Sequence, residues 1–260
     1  MTLDKWYLDA VFPDGSAWYG YRALIRFGYF PPVHFASSHS VSASGKGTEI
    51  TRWPEIREPA CDGNSWEWIA PGGFRGHWQP VRSRGEELEL SRDSDLKIHW
   101  SCLAPDARFD RLDPGKKEPG GASGSGYIER LQVQSGRRAL PFRSLRWGHA
   151  NAGDASLVWI QWARGKDLSL ILENGVQVPG SIEEMPDGGV KVQTASSCWE
   201  TLPGKTICDR DVRKSFSWML VWLARGLAPS REMKILGNVR RKCGAQTWMG
   251  SGIWEHVLWR

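Results

Sequence analysis

The sequence lacks the features of membrane and secreted proteins. No run approaches the roughly eighteen apolar residues that a transmembrane helix needs. The opening residues, MTLDKWYLDAVF, show no apolar stretch preceded by positive charge, so no signal peptide is predicted. We therefore expect a cytoplasmic protein.

Metal-site and redox patterns are also missing. The five cysteines are far apart, and none forms a CxxC pair or a zinc pattern. The six histidines show no metal-ligand spacing, and His34 and His39 are predicted to lie at the surface. The sequence therefore predicts reduced thiols and no metal site.

The chain has none of the familiar catalytic signatures. There is no GxSxG, no Walker loop, no HExxH and no dinucleotide fingerprint after a strand. The run from Gly120 to Gly126 is rich in glycine but opens no helix, which argues against a phosphate site. The net charge of +5 comes from scattered basic residues with no basic stripe, so nucleic acid is not expected as a partner.

What is present is tryptophan, in short strand-like segments. The chain has 16 Trp, against 5 Tyr and 8 Phe. Runs rich in β-branched and aromatic residues recur about every ten residues with turn signals between them, which is typical of a sandwich or barrel. Trp6–Phe12 and Ala17–Gly28, joined by the turn Pro13-Asp14-Gly15, predict an opening hairpin. The predicted fold is all-β.

One stretch divides this pattern in two. The residues from Asp113 to Gly126 are mostly Gly, Pro, Ser and charged residues, so they predict a linker or long loop. We therefore predict domains at 1–116 and 125–260, similar enough in size and style to suggest an ancient duplication. The segment Phe216–Leu223 is predicted as either a long buried strand or a short helix.

Polar groups within the strands are the best chemical candidates. Glu129, Arg146, His149 and Gln161 stand among aromatic residues, and a barrel turns alternate residues inward. A carboxyl group buried among Trp rings has a raised pKa, so it can hold a proton and deliver it to an alkene. Trp faces would stabilise the resulting carbocation. For Glu129, His149 and Asp9 alike, a structural role remains the alternative.

Several segments carry a family resemblance. The strand GYIERL at Gly126–Leu131 precedes LPFRSLRWGHANAG at Leu140–Gly153 and a Trp-rich strand, and SGIWEHVLW at Ser251–Trp259 closes the chain. Together with the opening WYLDAVFPDGSAWYGY at Trp6–Tyr21, they resemble the lipocalin-like superfamily of carotenoid 1,2-hydratases and AttH-type proteins. The resemblance implies two tandem lipocalin-like antiparallel β-barrels. It also implies a hydrophobic polyene or isoprenoid substrate, and hydration or cyclisation of a double bond without a cofactor.

The resemblance also implies site residues. The hydratases cluster a Trp, an Asp and a His or Asn in the segment where this chain has Trp147, His149 and Asn151. The family's acidic residue is replaced or displaced here, and Glu129 could stand in for it. That departure keeps proton-initiated isomerisation or cyclisation open beside hydration.

These observations predict a cofactor-independent acid–base enzyme, a hydratase or a cyclase. Glu129 or Asp9 would donate the proton, and His149 would position or activate water. Trp147, Trp159 and Trp162 would form the cavity wall, and Arg146 would hold a polar end of the substrate or pair with Glu129. The predicted catalytic residues are Glu129, His149 and Asp9, and the predicted substrate-binding residues are Trp147, Arg146, Trp159, Trp162, Asn151 and Glu255. A pericyclase of the Diels–Alderase type and a non-catalytic lipid-binding protein are the alternatives. Beyond a hydrophobic small molecule, the expected partner is a membrane surface in transient contact.

Overall fold

The computed structural model describes residues 1–53, 56–82, 87–93, 95–112, 121–136, 143–163, 168–215 and 230–259. The chain divides into two compact units, Met1–Arg137 and Arg138–Arg260. Within the described ranges the only helical elements are two 3-10 turns, at Pro71–Gly73 and Val212–Ser215. No helix among these residues is long and apolar enough to cross a membrane.

The first unit is a ten-stranded antiparallel sheet with the order β4-β3-β2-β1-β10-β9-β7-β6-β5, and β8 pairs with β9. Its strands are β1 (Thr2–Val11), β2 (Ala17–Arg26), β3 (Val33–Val41), β4 (Gly47–Arg52), β5 (Ala60–Asp62), β6 (Ser65–Ile69), β7 (Arg75–Pro80), β8 (Glu87–Asp93), β9 (Leu96–Leu112) and β10 (Ser123–Ser135).

The second unit repeats this plan, with the order β14-β13-β12-β11-β20-β19-β17-β16-β15 and β18 paired with β19. Its strands are β11 (Ser144–Ala152), β12 (Ala155–Ala163), β13 (Leu168–Glu173), β14 (Val176–Gln177), β15 (Gly180–Glu184), β16 (Val190–Thr194), β17 (Cys198–Thr201), β18 (Lys205–Arg210), β19 (Arg231–Cys243) and β20 (Gln246–Leu258). Each strand of the first sheet thus has a counterpart ten numbers later. This identity of topology fits the predicted duplication.

Each sheet curls around its own apolar core. In the first unit, Trp18 of β2 contacts Trp68 of β6, with ring centroids 6.0 Å apart, although their strands are far apart in the sheet. Trp78 lies in the same core and is fully buried. In the second unit Trp159, Trp199 and further apolar side chains form the corresponding cluster. We call the face that lines each cluster the core face.

Glycines make room for the large rings on the core face. A Cβ on Gly148 would lie 2.3 Å from the ring of Trp159, and one on Gly126 would lie 2.5 Å from the ring of Trp78. Real Cβ contacts are essentially never that short, so each ring needs a residue without a side chain beneath it. This packing explains how a barrel-like sheet accommodates so many tryptophans.

The structure confirms the all-β prediction and the opening hairpin. The predicted boundary between the domains is wrong: Ser123–Ser135 pairs with β1 and β9, so it closes the first sheet instead of opening the second. The division falls after Arg137 instead of between 116 and 125. The residues 113–120 of the predicted linker and the ambiguous segment Phe216–Leu223 lie outside the described residues.

Candidate active site

The strand β1 separates apolar from polar side chains by simple alternation. Trp6, Leu8 and Ala10 pack in the apolar core, so Tyr7 and Asp9 lie on the other face of the sheet. Both are buried; Asp9 is 0% exposed. A carboxylate at a fully buried position is rare and points to a dedicated role.

Neighbouring strands continue this polar surface in two cross-strand rows. In one row Tyr7 is paired with Tyr21 and Glu129, and in the other Asp9 is paired with Tyr19 and Tyr127. We define the polar face of the first sheet as Tyr7, Asp9, Tyr19, Tyr21, Ser37, His39, Cys102, Tyr127 and Glu129. Four of the chain's 5 tyrosines therefore lie on one face.

Asp9 is held by its side chain and by its backbone. The hydroxyl of Tyr7 donates a hydrogen bond of 2.8 Å to Oδ2 of Asp9, and both groups are buried. The carbonyl oxygen of Asp9 accepts a hydrogen bond of 2.7 Å from Nε1 of Trp78. Because Trp78 belongs to the apolar core, the core fixes the strand position from which the Asp9 carboxyl projects.

Glu129 forms the second tyrosine–carboxylate pair. Its Oε2 accepts hydrogen bonds from the Tyr127 hydroxyl at 2.9 Å and from Trp100 Nε1 at 2.7 Å. The rings of Tyr7 and Tyr127 lie 6.2 Å apart between centroids, so the two pairs are neighbours. Two carboxyl groups, each with a phenol partner, thus share one face.

Burial keeps the groups around Glu129 protonated. Burial, together with the nearby Cys102 and Glu129, raises the pKa of Tyr127 well above its usual range. Burial likewise raises the pKa of the Cys102 thiol, with a smaller rise from Glu129 and a partly opposing hydrogen bond from Tyr127. Tyr127 therefore remains a hydrogen-bond donor at neutral pH.

His39 is a site residue that the sequence analysis missed. It was expected at the surface, but it is 5% exposed because β3 is paired on both sides, with β2 and β4. Its ring stacks on Tyr19, with centroids 4.4 Å apart and planes 7° apart. Nε2 lies 3.2 Å from Ser37 Oγ, and Nδ1 lies 3.8 Å from Glu49 Oε2. The alternation of Ser37, His39 and Val41 in a strand was the available signal.

The second unit carries a different set on the face opposite its core. Trp147 and His149 have ring centroids 5.7 Å apart, and His149 is 2% exposed. Lys234, fully buried, donates a hydrogen bond to Oε2 of Glu255 and lies 5.3 Å from the centroid of the Trp147 ring. Burial lowers the pKa of Lys234, but the charges of Glu255 and Glu232 outweigh it and the pKa is raised. Glu255 is therefore the partner of a buried ammonium group.

The remaining predicted residues of the second unit are divided between its two faces. Trp159 belongs to the core cluster, whereas Trp147 and Trp162 alternate away from it. Asn151 follows His149 on the face opposite the core. Arg146 forms an ion pair with Glu184. The three tryptophans therefore do not form one cavity wall.

The predicted catalytic residues belong to two different units of the chain. Asp9 and Glu129 lie in the first unit, and His149 lies in the second. Glu129 and His149 both lie on faces opposite a core, because their neighbours Ile128 and Ala150 are the core residues. Sequence alternation alone does not show which of two faces is the inside.

The part of the chain that the structure describes contains no group of three or more His, Cys, Asp or Glu side chains that could hold a metal ion. The polar face itself offers carboxyl, phenol and imidazole groups.

The fold defines a protein of two tandem lipocalin-like sheets, each with a curled antiparallel topology. Three solved structures share this fold. CghA has a TM-score of 0.61 and 11% sequence identity, over 99% of this chain and 88% of its own. Kievitone hydratase from Nectria haematococca has a TM-score of 0.55 and 7% identity (98% and 88% covered), and an AttH-type protein from Nitrosomonas europaea has a TM-score of 0.53 and 11% identity (98% and 91% covered). The family resemblance noted in the sequence is thus confirmed at the level of the fold. Neither the family models nor the curated proteins compared with the sequence match it.

Proposed function

We propose that the chain is an acid–base enzyme of the hydratase or cyclase type, with the polar face of the first sheet as its chemical centre. The observation that carries the proposal is the adjacent Tyr7–Asp9 and Tyr127–Glu129 pairs. Two carboxyl groups in different hydrogen-bonded surroundings are a frequent basis for a division into acid and base. The likeness of the fold to a kievitone hydratase supports the same general class.

The proposed substrate is a hydrophobic unsaturated molecule, such as an isoprenoid or polyene. Asp9 is the proposed proton donor, and Tyr7 orients it through the hydrogen bond to Oδ2. Transfer of the proton to one alkene carbon leaves a carbocation on the other, and the tyrosine rings of the polar face stabilise it by their negative faces.

Two outcomes follow from the same cation. In hydration, a water molecule adds to the cation and gives up a proton to Glu129. In cyclisation, a second double bond of the substrate attacks the cation, and a neighbouring carbon loses the proton instead. Glu129 suits the acceptor role because two donors hold its Oε2 in place. The proposed steps need only protons and water.

The test is turnover of a panel of isoprenoid and polyene substrates by the purified protein in heavy water, followed by mass spectrometry. Hydration adds the mass of water and places solvent deuterium on carbon. Proton-initiated cyclisation leaves the composition unchanged apart from deuterium on carbon. Asp9→Asn and Glu129→Gln should each lower the rate by roughly a hundredfold or more. Glu67→Gln, which changes a carboxyl group paired with Arg75 outside the polar face, is the matched control.

Other results of the same experiment would support one of the two alternative functions, a pericyclase or a lipid-binding protein. A cyclised product without solvent deuterium, formed equally fast by Asp9→Asn and Glu129→Gln, would establish a pericyclase. Tight binding of the panel with no turnover would establish a lipid-binding protein. Either result would overturn the acid–base proposal.

We also propose a cytoplasmic location and transient contact with a membrane surface. The five cysteines are free thiols, which fits the proposed cytoplasmic location. Tyr29 and Phe30 are exposed between β2 and β3, and they support the expected transient contact with a membrane surface. His149 is retained as a proposed water-positioning residue of the second unit.

A further inference from the structure

A cavity of about 440 Å³ opens at one end of the first sheet, away from the polar face. The turns between β1 and β2 and between β3 and β4 form its walls, and the end of β9 contributes Arg111. Its floor includes Trp18, which belongs to the apolar core. None of the predicted site residues is among the residues that line it.

Aromatic rings form the apolar part of this cavity. The rings of Trp18 and Phe74 are stacked, with centroids 4.2 Å apart and planes 5° apart. Phe74 stacks in turn on Phe109, with planes 7° apart. Phe12 meets Phe109 edge to face, and both Phe12 and Phe74 are only partly buried where they line the cavity. Such an array favours a flat, unsaturated ligand that can stack on a ring.

The rim of the cavity is positively charged. Lys46 and Arg111 both line it, and among the described residues neither forms an ion pair with a carboxylate. The guanidinium group of Arg111 lies 5.4 Å from the centroid of the Phe74 ring, so one cation lies beside the aromatic stack. Asp14 is the only acidic residue among the described residues that line the cavity, and hydrogen bonds from the side chain and backbone of Ser16 lower its pKa. Two cations against one carboxylate leave an excess of positive charge.

We propose that this cavity is a second ligand site, and that it binds a flat aromatic or polyene molecule carrying a carboxylate or another anionic group. The unsaturated body would stack against Phe74 and Phe12, and the anionic end would contact Arg111 and Lys46. Ser16, Ser40 and Ser42 add hydroxyl groups along the wall. The volume lies within the range of small-molecule sites in proteins. The site is distinct from the polar face because its floor is made of core-face residues.

The test uses two fluorescent probes with the same aromatic body. Anilinonaphthalene sulfonate is anionic and phenylnaphthylamine is neutral. The double variant Lys46→Gln/Arg111→Gln should weaken binding of the anionic probe roughly tenfold and leave the neutral probe within about twofold. Binding of the anionic probe should also weaken with added salt. Lys97→Gln, which removes an exposed lysine that does not line the cavity, should change neither probe.

Two further variants locate the site. Thr48→Trp and Ala43→Trp place a large ring in the cavity from exposed positions, and each should abolish binding of both probes. Asp9→Asn should leave both affinities unchanged, so the result is independent of the proposed function. Circular dichroism checks that every variant is folded. The proposal is overturned if the double variant weakens both probes equally or neither, or if a folded Trp variant keeps its affinity.

Discussion

Glu255 lies directly opposite Trp147 in the second sheet, as Glu129 lies opposite Tyr7 in the first. The two glutamates lie on corresponding strands of the two sheets, β10 and β20. Their partners differ in charge. Glu129 accepts hydrogen bonds from neutral groups, whereas Glu255 is paired with the buried ammonium group of Lys234. Glu129 therefore has neutral hydrogen-bond partners, whereas Glu255 is part of a buried ion pair.

This difference predicts that a Glu-to-Gln substitution mainly lowers stability at position 255 and mainly lowers activity at position 129. Glu255→Gln leaves the fully buried Lys234 without its hydrogen-bonded carboxylate, so it should lower the free energy of unfolding by about 3 kcal/mol. Glu129→Gln keeps an acceptor for Tyr127 and Trp100, so it should cost only about 1 kcal/mol while it reduces turnover.

Urea unfolding followed by tryptophan fluorescence measures both variants. Replacing Lys234 and Glu255 together by Met and Leu should restore much of the loss, because the uncompensated charge is then removed. Equal destabilisation by the two Gln variants would contradict the assignment of separate roles.

Alkaline pH should destabilise the first unit through Cys102. Burial raises the pKa of this thiol above its ordinary value of 9.0 in the folded protein. Above about pH 9 the unfolded chain releases the proton and the folded chain keeps it, so the free energy of unfolding falls as pH rises. Cys102→Ala should make this decline shallower.

The measurement is unfolding by urea at several pH values, for the natural chain and Cys102→Ala. Lys234 affects the free energy of unfolding only at still higher pH. Its pKa in the folded protein is raised above 10.5, so the stability that its charge contributes is lost only as pH rises through that raised pKa. The window between about pH 9 and about pH 10.5 therefore separates the two groups. Identical slopes for the two proteins in that window would refute the role of Cys102.

Local signals predicted the elements well, and distant pairings escaped prediction. The first hairpin follows from Pro13-Asp14-Gly15, whose turn chemistry acts between adjacent residues. The place of β10 in the first sheet depends on its pairing with β1, a strand that begins at residue 2. This pairing brings Arg130 into hydrogen-bond contact with Asp4, which lies 126 positions earlier in the chain. The glycine-rich run before β10 led to a wrong prediction of the domain boundary. Composition indicates that such a run is a loop, but it does not show which sheet the next strand joins.

The candidate site was predicted in part for the same reason. Glu129 and Asp9 stood out as carboxyl groups in aromatic strands, and they do lie in neighbouring hydrogen-bonded pairs with tyrosines. Their face could not be predicted, because alternation distinguishes two faces but does not assign the core to either. His39 escaped because its burial depends on strands at both sides of β3.

Acid should destabilise the second unit through Glu173. Burial opposes ionisation of this carboxyl group, but hydrogen bonds from Ser196, Ser197 and Thr194 outweigh it and lower its pKa. A depressed pKa in the folded state gives stability that is present above the ordinary value of 4.5 and is lost as pH falls below it.

Glu173→Gln should therefore be less stable at neutral pH and should show a weaker loss of stability on acidification. Thermal unfolding between about pH 3 and about pH 7 measures this dependence. Glu183→Gln, at an exposed position of β15, is the matched control and should follow the natural chain. A Glu173→Gln variant with an unchanged acid profile would show that this carboxylate is not a source of pH-dependent stability.

Gly148 should not tolerate a side chain, because the ring of Trp159 occupies the space above it. An added Cβ would lie 2.3 Å from that ring, which is fully buried and cannot withdraw. Gly148→Ala should lower the free energy of unfolding by about 1–3 kcal/mol, as overpacking of a core does. Gly47→Ala is the matched control, since its Cβ would meet only a backbone oxygen at 3.8 Å. Its cost should be about 0.5 kcal/mol or less. If the two variants unfold at the same urea concentration, the packing of the Trp159 ring does not require a glycine at position 148.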